Sequence, residues 1–203
     1  EALSRSYNLS TAHLGLELGV DKVIDMLGRL GVEKPIDPFP SLFLGALALS
    51  PVEVAQIYQT IAANGFKMPL RAIRRVTDAN NAELSRYPFK LEQITDPGAV
   101  HLLHYALQAV AREGTARSLY QQLPANLNVS GKTGTSDQQR DSWFAGFTGN
   151  RLAVVWVGRD DNRSLPFTGS GGALKVWTEL MRLENPEPYI TLKPESVEYQ
   201  WVD

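Results

Sequence analysis

Residues 128–147 read NVSGKTGTSDQQRDSWFAGF, and the lysine near the start of this stretch decides the fold. Gly131-Lys132-Thr133 is how a phosphate-binding loop ends, whereas Lys132-Thr133-Gly134-Thr135 is how a strand that grips a carboxylate is written. A phosphate loop needs G-x-x-x-x-G-K-[ST] on a strand-to-helix turn. The position of its first glycine is held here by Asn126, and GTSDQQRDSWF after Thr133 has no helical periodicity. Backbone N–H groups do most of the work in holding phosphate, so one lysine builds no cradle. The phosphate reading fails.

Read as a strand at the rim of a cleft, the same residues make sense. Strand side chains alternate between faces. Lys132 and Gly134 therefore share one face, and Thr133 and Thr135 the other. Gly134 leaves room for another backbone to come close. An extended peptide can add to such an edge through main-chain hydrogen bonds. The threonine hydroxyls suit a carboxylate, the Thr135 N–H suits a developing oxyanion, and Lys132 lowers the cost of nearby anionic states.

A second polar cluster, SRSYNLS, lies near the start and puts Ser6 and Asn8 two residues apart before a helix. The plain alternative is a helix cap, since Asn8 or Ser10 could simply start that helix. Taken together the clusters are specific: Ser-x-Asn followed far downstream by Lys-Thr-Gly is the order found in penicillin-recognising serine enzymes.

The remaining sequence predicts an α+β fold, with an antiparallel sheet flanked by helices. Leu14, Leu18, Val23, Ile24, Leu27 and Leu30 give helical spacing over residues 9–31, punctuated at Gly19 and capped at Gly31. Ser50-Pro51 with Glu53 predicts a capping box. Two short strands are expected around a turn at Asp78 to Asn81. Asp96-Pro97 opens a helix running to about Arg112, with Leu102, Leu103, Ala106, Leu107 and Val110 facing inward. Three strands follow: Val129 to Ser136, DSWFAGFTG and NRLAVVWVGRD, the last two joined at Gly149-Asn150. Leu152 to Val157 is apolar throughout, as for a strand covered on both faces. A last helix is expected from Gly172 to about Leu183.

The chain has 203 residues, enough for one substantial core. Its net charge of −2 leaves no electrostatic footprint for nucleic acid. There is no cysteine, which rules out disulfides and thiolate metal sites. No apolar run approaches a membrane span, and the given residues do not open on a signal-peptide pattern. With no initiator Met, the chain is expected to be part of a longer protein.

SRSYNLSTAHLGLELG, LGALALSPVEVAQIYQTIAANG, REGTAR, SGKTGTSDQQRDSWFAGFTG and VVWVGRDDN resemble the transpeptidase domain of bifunctional class A penicillin-binding proteins, most closely the 1b type of Gram-negative bacteria. The resemblance implies the C-terminal part of a penicillin-binding, serine β-lactamase-like fold over residues 1–185, with residues 186–203 as an extended tail. It implies acyl transfer from D-Ala-D-Ala stem peptides of peptidoglycan, with β-lactams acylating the same serine. By the same resemblance Ser6 relays a proton toward the departing amine and Lys132 holds that network. Asn8 bonds the peptide, Thr133 and Thr135 with Gly134 between them bind the terminal carboxylate, and the Thr135 N–H completes the oxyanion hole. No metal or organic cofactor is called for.

The family's nucleophile lies in an S-x-x-K motif, and no serine of this chain has lysine three residues on. The expectation is that an N-terminal remainder of the same protein supplies it, together with a glycosyltransferase domain and the anchor that holds the protein at the periplasmic face of the bacterial inner membrane. Outer-membrane lipoprotein activators and divisome or elongation proteins are the regulatory partners that this membership implies. Tyr7 stands where class A β-lactamases usually have aspartate, and no E-x-x-L-N follows, which argues against fast hydrolysis. The motifs leave two alternatives open, a D,D-carboxypeptidase and a sensor module without turnover.

Other candidates read as structural. His101 and His104 sit three apart on a helix without a third metal ligand nearby. Trp143, Phe144, Trp156 and Trp177 read as core or sheet-covering residues. Asp137 to Arg140 reads first as a solvated turn. The FTGSGGA stretch serves either as a site floor or as a helix cap, and Thr115 is within reach of the cleft only if REGTAR turns toward it.

Overall fold

The computed structural model describes residues 1–200. A short helix α1 (Ala2–Arg5) leads into α2 (Asn8–Leu18) and α3 (Val20–Leu30). The predicted break at Gly19 is real, with φ +88° there, and Gly31 ends α3 in the left-handed region at φ +110°. Val23, Ile24, Leu27 and Leu30 are half-buried as expected. Leu14 and Leu18 are not: they are 55% and 47% exposed. It is Gly15 that α2 buries, where a Cβ would fall 2.2 Å from the Phe43 ring.

Helix α4 (Pro51–Ala62) starts in the predicted capping box. The Ser50 N–H donates to Glu53 Oε2 at 2.7 Å, and the Glu53 N–H returns to Ser50 Oγ at 3.3 Å. Two small two-stranded ribbons follow: β1 (Phe66–Lys67) pairs with β4 (Glu92–Gln93), and β2 (Arg75–Thr77) with β3 (Glu83–Arg86). Asp78 Oδ1 accepts from the Asn80 and Ala82 amides at 2.8 Å each and fixes the turn where the sequence placed it.

Helix α5 (Pro97–Arg112) is capped by Asp96, whose Oδ1 accepts from the Ala99 amide at 3.0 Å. Its inward stripe differs from the expected one. Leu107 and Val110 are buried and Leu103 and Ala106 half-buried, but Leu102 is 61% exposed. The buried line runs through Val100, His104, Leu107 and Ala111, a spacing of three and four that leaves Leu102 on the far side. His104 is tolerated there because both ring nitrogens have partners. Nε2 donates to the Ile61 carbonyl at 2.7 Å, so Nδ1 accepts from the Tyr189 hydroxyl at 3.0 Å. Burial lowers its pKa, in keeping with a neutral ring.

The main sheet has the order β5 (Ser130–Thr135), β6 (Ser142–Phe147), β7 (Leu152–Val157), all antiparallel. Alternation along β6 sends Phe144 and Phe147 to opposite faces, and both are fully buried. Phe144 meets Trp177 of α6 (Ala173–Glu184) edge-on at 5.0 Å, among Val110, Leu119, Val129 and Met181. Phe147 packs on the other face with Leu107 and Tyr189, beside Tyr58 and Ile61 of α4. The apolar run of β7, expected to be covered on both faces, is only half-buried. Ala153, Val155 and Val157 join the first cluster and Leu152 the second, while Trp156 emerges 42% exposed.

Beyond α6 the described chain has no regular structure, yet it is tied to the rest of the fold around residues 187–189. Tyr189 is 7% exposed, and its amide donates to the Leu127 carbonyl at 2.9 Å. The Gly149 amide donates to the Glu187 carbonyl at 2.8 Å, and a Cβ on Gly149 would lie 2.3 Å from the Pro188 carbonyl oxygen. The hairpin glycine is therefore required by the passing tail, not by a positive φ. Positions 201–203 of the expected tail lie outside the described residues.

Gly131 and Gly146 face each other across β5 and β6 and flank the Phe144 ring. A Cβ on Gly131 would sit 2.6 Å from Phe144 Cζ and 2.9 Å from the Ala145 carbonyl oxygen. Gly131→Ala should cost about 1–3 kcal/mol by forcing that strand pair apart. Gly28→Ala on α3, whose Cβ would meet nothing, should instead be neutral or stabilising by up to about 1 kcal/mol. Chemical denaturation of the two variants side by side checks this.

Candidate active site

The site begins at a kink. Ser6 ends α1 in the left-handed region, with φ 57° and ψ 48°, a conformation that costs a residue with a Cβ about 1–3 kcal/mol. The kink separates α1 from α2 and aims the Ser6 hydroxyl at β5. Packing from α5 holds it in place. The Thr115 amide, just past the end of α5, donates to the Ser4 carbonyl at 3.1 Å. A Cβ on Gly114 would come within 2.2 Å of that same oxygen, so only glycine lets the turn and α1 meet.

On β5, the edge strand of the sheet, Lys132 is half-buried. Its ammonium donates to Ser6 Oγ and, at 3.0 Å, to the Thr133 carbonyl. Burial disfavours the charged form and brings the pKa down from the usual 10.5 to about 8. Because the ammonium donates, Ser6 Oγ accepts and keeps its own proton for another partner.

The two threonines are held from the opposite side. Thr135 Oγ1 accepts from the Gly169 amide at 2.9 Å. Thr133 Oγ1 lies 2.6 Å from Thr115 Oγ1. The room expected at Gly134 for another backbone is taken by a side chain instead: a Cβ there would lie 3.1 Å from Trp143 Cβ, and it is Gly169, in the loop before α6, whose Cβ would fall 2.4 Å from the Gly134 carbonyl oxygen. Both readings of FTGSGGA are therefore met, with Gly169 against the site floor and Gly172 at the start of α6. Ser142 pins this loop to the central strand, donating to the Thr168 carbonyl at 3.0 Å and accepting from the Ala173 amide at 2.9 Å.

Of the residues singled out in the sequence, Ser6 and Lys132 are in direct contact, and Thr133, Gly134 and Thr135 continue along the same strand. Asn8 is exposed on the first turn of α2, and none of the described residues hydrogen-bonds its side chain. Asn8 does open α2 as its first residue, but it does not cap it: the N-cap is Tyr7, with no side-chain cap bond, and Ser10 lies inside the helix. The turn at Asp137 to Gln139 is exposed, as the plain reading has it. Sequence reasoning left Thr115 undecided and missed Gly114 and Ser142. A glycine-threonine pair closing a helix was the available signal for the first two. Ser142 gave none, since it reads as an ordinary strand residue.

Lys-Thr-Gly-Thr on the edge strand, with a kinked Ser-x-Asn turn against it, defines a class of serine acyl-transfer domain. The chain belongs to the penicillin-binding protein transpeptidase domain family, whose model matches residues 1–176. Among its relatives, penicillin-binding protein 1B of Vibrio cholerae is 40% identical over 97% of this chain and 25% of that protein. Penicillin-binding protein 1B of Escherichia coli is 37% identical over 100% of this chain and 24% of that protein. The chain thus spans about a quarter of the length of these relatives. The solved penicillin-binding protein 1A of Haemophilus influenzae shares the fold with a TM-score of 0.87 at 22% identity, covering 96% of this chain and 35% of that one. The D,D-transpeptidase domain of a peptidoglycan glycosyltransferase from Eggerthella lenta aligns with a TM-score of 0.69 at 25% identity, over 91% and 52% of the two chains.

The lowered pKa of Lys132 has a measurable sign. Between about 8 and 10.5 the unfolded chain holds a proton that the folded lysine has lost. Stability should rise with pH through that window, the full burial penalty applying below it. Lysine side chains labelled with carbon-13 at Cε should show one resonance titrating near pH 8, absent from Lys132→Arg.

Proposed function

We propose that this chain supplies the substrate-holding half of a peptidoglycan D,D-transpeptidase. The observation that carries the reading is the ammonium of Lys132 bonded to Ser6 Oγ beside the unpaired edge of β5. A stem peptide ending in D-Ala-D-Ala lies along that edge. Its terminal carboxylate takes the hydroxyl protons of Thr133 and Thr135, its peptide side meets Asn8, and its scissile carbonyl faces the Thr135 N–H. A serine in a segment outside these residues attacks that carbonyl. The C–N bond breaks, and the departing D-Ala amine takes a proton through Ser6. An amine of a neighbouring peptide then attacks the acyl-enzyme, forming the cross-linking amide and returning the serine to its starting state. β-Lactams follow the first half of this path and stop.

Two observations support a nucleophile carried elsewhere in a longer protein. No serine here is followed by lysine at the third position. Helix α2, the element that carries Asn8, leaves Leu9 and Leu16 exposed on one side and Leu14 and Leu18 on the other, each between 47% and 88%, and a helix apolar on both sides calls for cover. A partner glycosyltransferase domain, a location at the periplasmic face of the inner membrane, and regulation by lipoprotein activators and divisome or elongation proteins belong to the same proposal. They rest on kinship with the 1B-type proteins; among the described residues no helix is long and apolar enough to cross a membrane.

In the full-length protein, Lys132→Ala should slow labelling by a fluorescent penicillin about 10²-fold, the scale of losing one preorganised electrostatic contact. Labelling at the wild-type rate would sink the assignment. Replacing Thr133 and Thr135 together by Val should weaken acylation while leaving the melting temperature near wild type. A melting temperature that collapses in step with activity would make their role structural.

A further inference from the structure

Three hydroxyls face the proposed substrate edge, and two of them have a defined direction. Ser6 Oγ accepts from an ammonium and Thr135 Oγ1 accepts from a backbone amide, so each keeps its single proton for the substrate. The third, Thr133, is paired with Thr115, and at 2.6 Å either oxygen can be the donor. The choice decides what Thr133 can do. If Thr133 donates to Thr115, only its lone pairs face an incoming carboxylate, and the contact is repulsive. If Thr115 donates, Thr133 keeps its proton and is polarised toward giving it up.

Thr115 is held in place where it can serve as that donor. Its amide donates to the Ser4 carbonyl, and its carbonyl accepts from Ser170 Oγ at 2.8 Å. Both ends of its peptide frame are thus tied, one to the segment leading into Ser6 and the other to the loop holding Thr135. Among the described residues its hydroxyl has no other hydrogen-bond partner than Thr133. We propose that Thr115 is a positioning residue of the carboxylate site, its Oγ1–H directed at Thr133 Oγ1 so that the Thr133 proton points at the substrate. This inference rests on the reading of Thr133 as a carboxylate ligand.

The test compares acylation rates of the full-length protein by a penicillin and by its methyl ester, which lacks the carboxylate charge. Thr115→Val should slow acylation by the free acid about five- to tenfold, the scale of one net hydrogen bond, and leave the ester rate nearly unchanged. Thr115→Ser should restore most of the loss. The double variant Thr115→Val, Thr133→Val should be no slower than Thr133→Val alone. If Thr115→Val does not fold, Thr115→Ala carries the same expectation. Acid and ester slowed equally, or no rescue by serine, would overturn the inference in favour of a scaffold role. Wild-type behaviour of Thr115→Val beside a slowed Thr133→Val would overturn it while sparing the carboxylate reading. A Thr133→Val variant that acylates normally would remove that reading and the inference together.

Discussion

Everything in this structure depends on covering the central strand of a narrow sheet from both sides at once. Three strands leave β6 as the only one paired along both edges, and its alternation drives Phe144 into one helical layer and Phe147 into the other. The first layer, built from α5, α6 and the turns between α5 and β5, fixes the floor of the site. The second, built from α4, His104 and Tyr189, fixes the back of the sheet. β5 is then paired with β6 along one side, tied to Ser6, Thr115 and Gly169 through its side chains, and its outer edge is left open. That open edge is normally a liability for a protein, since unpaired N–H and C=O groups invite further pairing. Here it coincides with the residues that a peptide substrate would meet.

The polar chemistry is organised by the same packing. A half-buried ammonium has to be supported by groups that accept its protons, and Lys132 finds a hydroxyl and a carbonyl. The hydroxyl arrives because Ser6 accepts a strained backbone conformation, and the strain is held by the tie between Ser4 and Thr115. Thr115 therefore stands where three segments distant in sequence converge: the start of the chain, the Lys-Thr-Gly strand and the loop before α6. Such a residue has no motif of its own, because what distinguishes it is how many other segments depend on its backbone.

The legibility of the sequence follows from this division. Features set by local rules could be read directly: the Ser50 and Asp96 caps, the Asp78 turn, the hairpin at Gly149-Asn150 and the alternation that separates Lys132 from Thr133. The Ser6 and Lys132 pair was legible because motif order stands in for three-dimensional proximity. Features set by tertiary packing were not legible. Leu102 fits a helical stripe as well as His104 does, and only the carbonyl of Ile61 and the hydroxyl of Tyr189 make histidine the better inward residue. Leu14 has the right spacing and the wrong surroundings, because Gly15 brings Phe43 onto the other side of α2. Gly114 and Gly169 look like turn residues and Gly131 like an ordinary strand glycine, and all three are in fact contact points, where a missing side chain lets two backbones or a ring approach.

The segment after α6 has a consequence for where this fold ends. Every motif, every helix and every strand lies before residue 185, and the family match itself stops at 176. Yet Tyr189 packs edge-on against Phe147 and gives its one hydroxyl proton to His104 Nδ1. A cut placed at the last helix would keep the whole catalytic vocabulary and unplug one wall of the core, exposing an aromatic ring and leaving a buried imidazole nitrogen dry and unpartnered. The boundary of the folding unit is set by the irregular segment around Tyr189, whose backbone is also tied to the hairpin at Gly149-Asn150 and to Asn128. Excising this domain for biochemistry thus means choosing the end point by what fills the cavity, not by where the recognisable sequence stops.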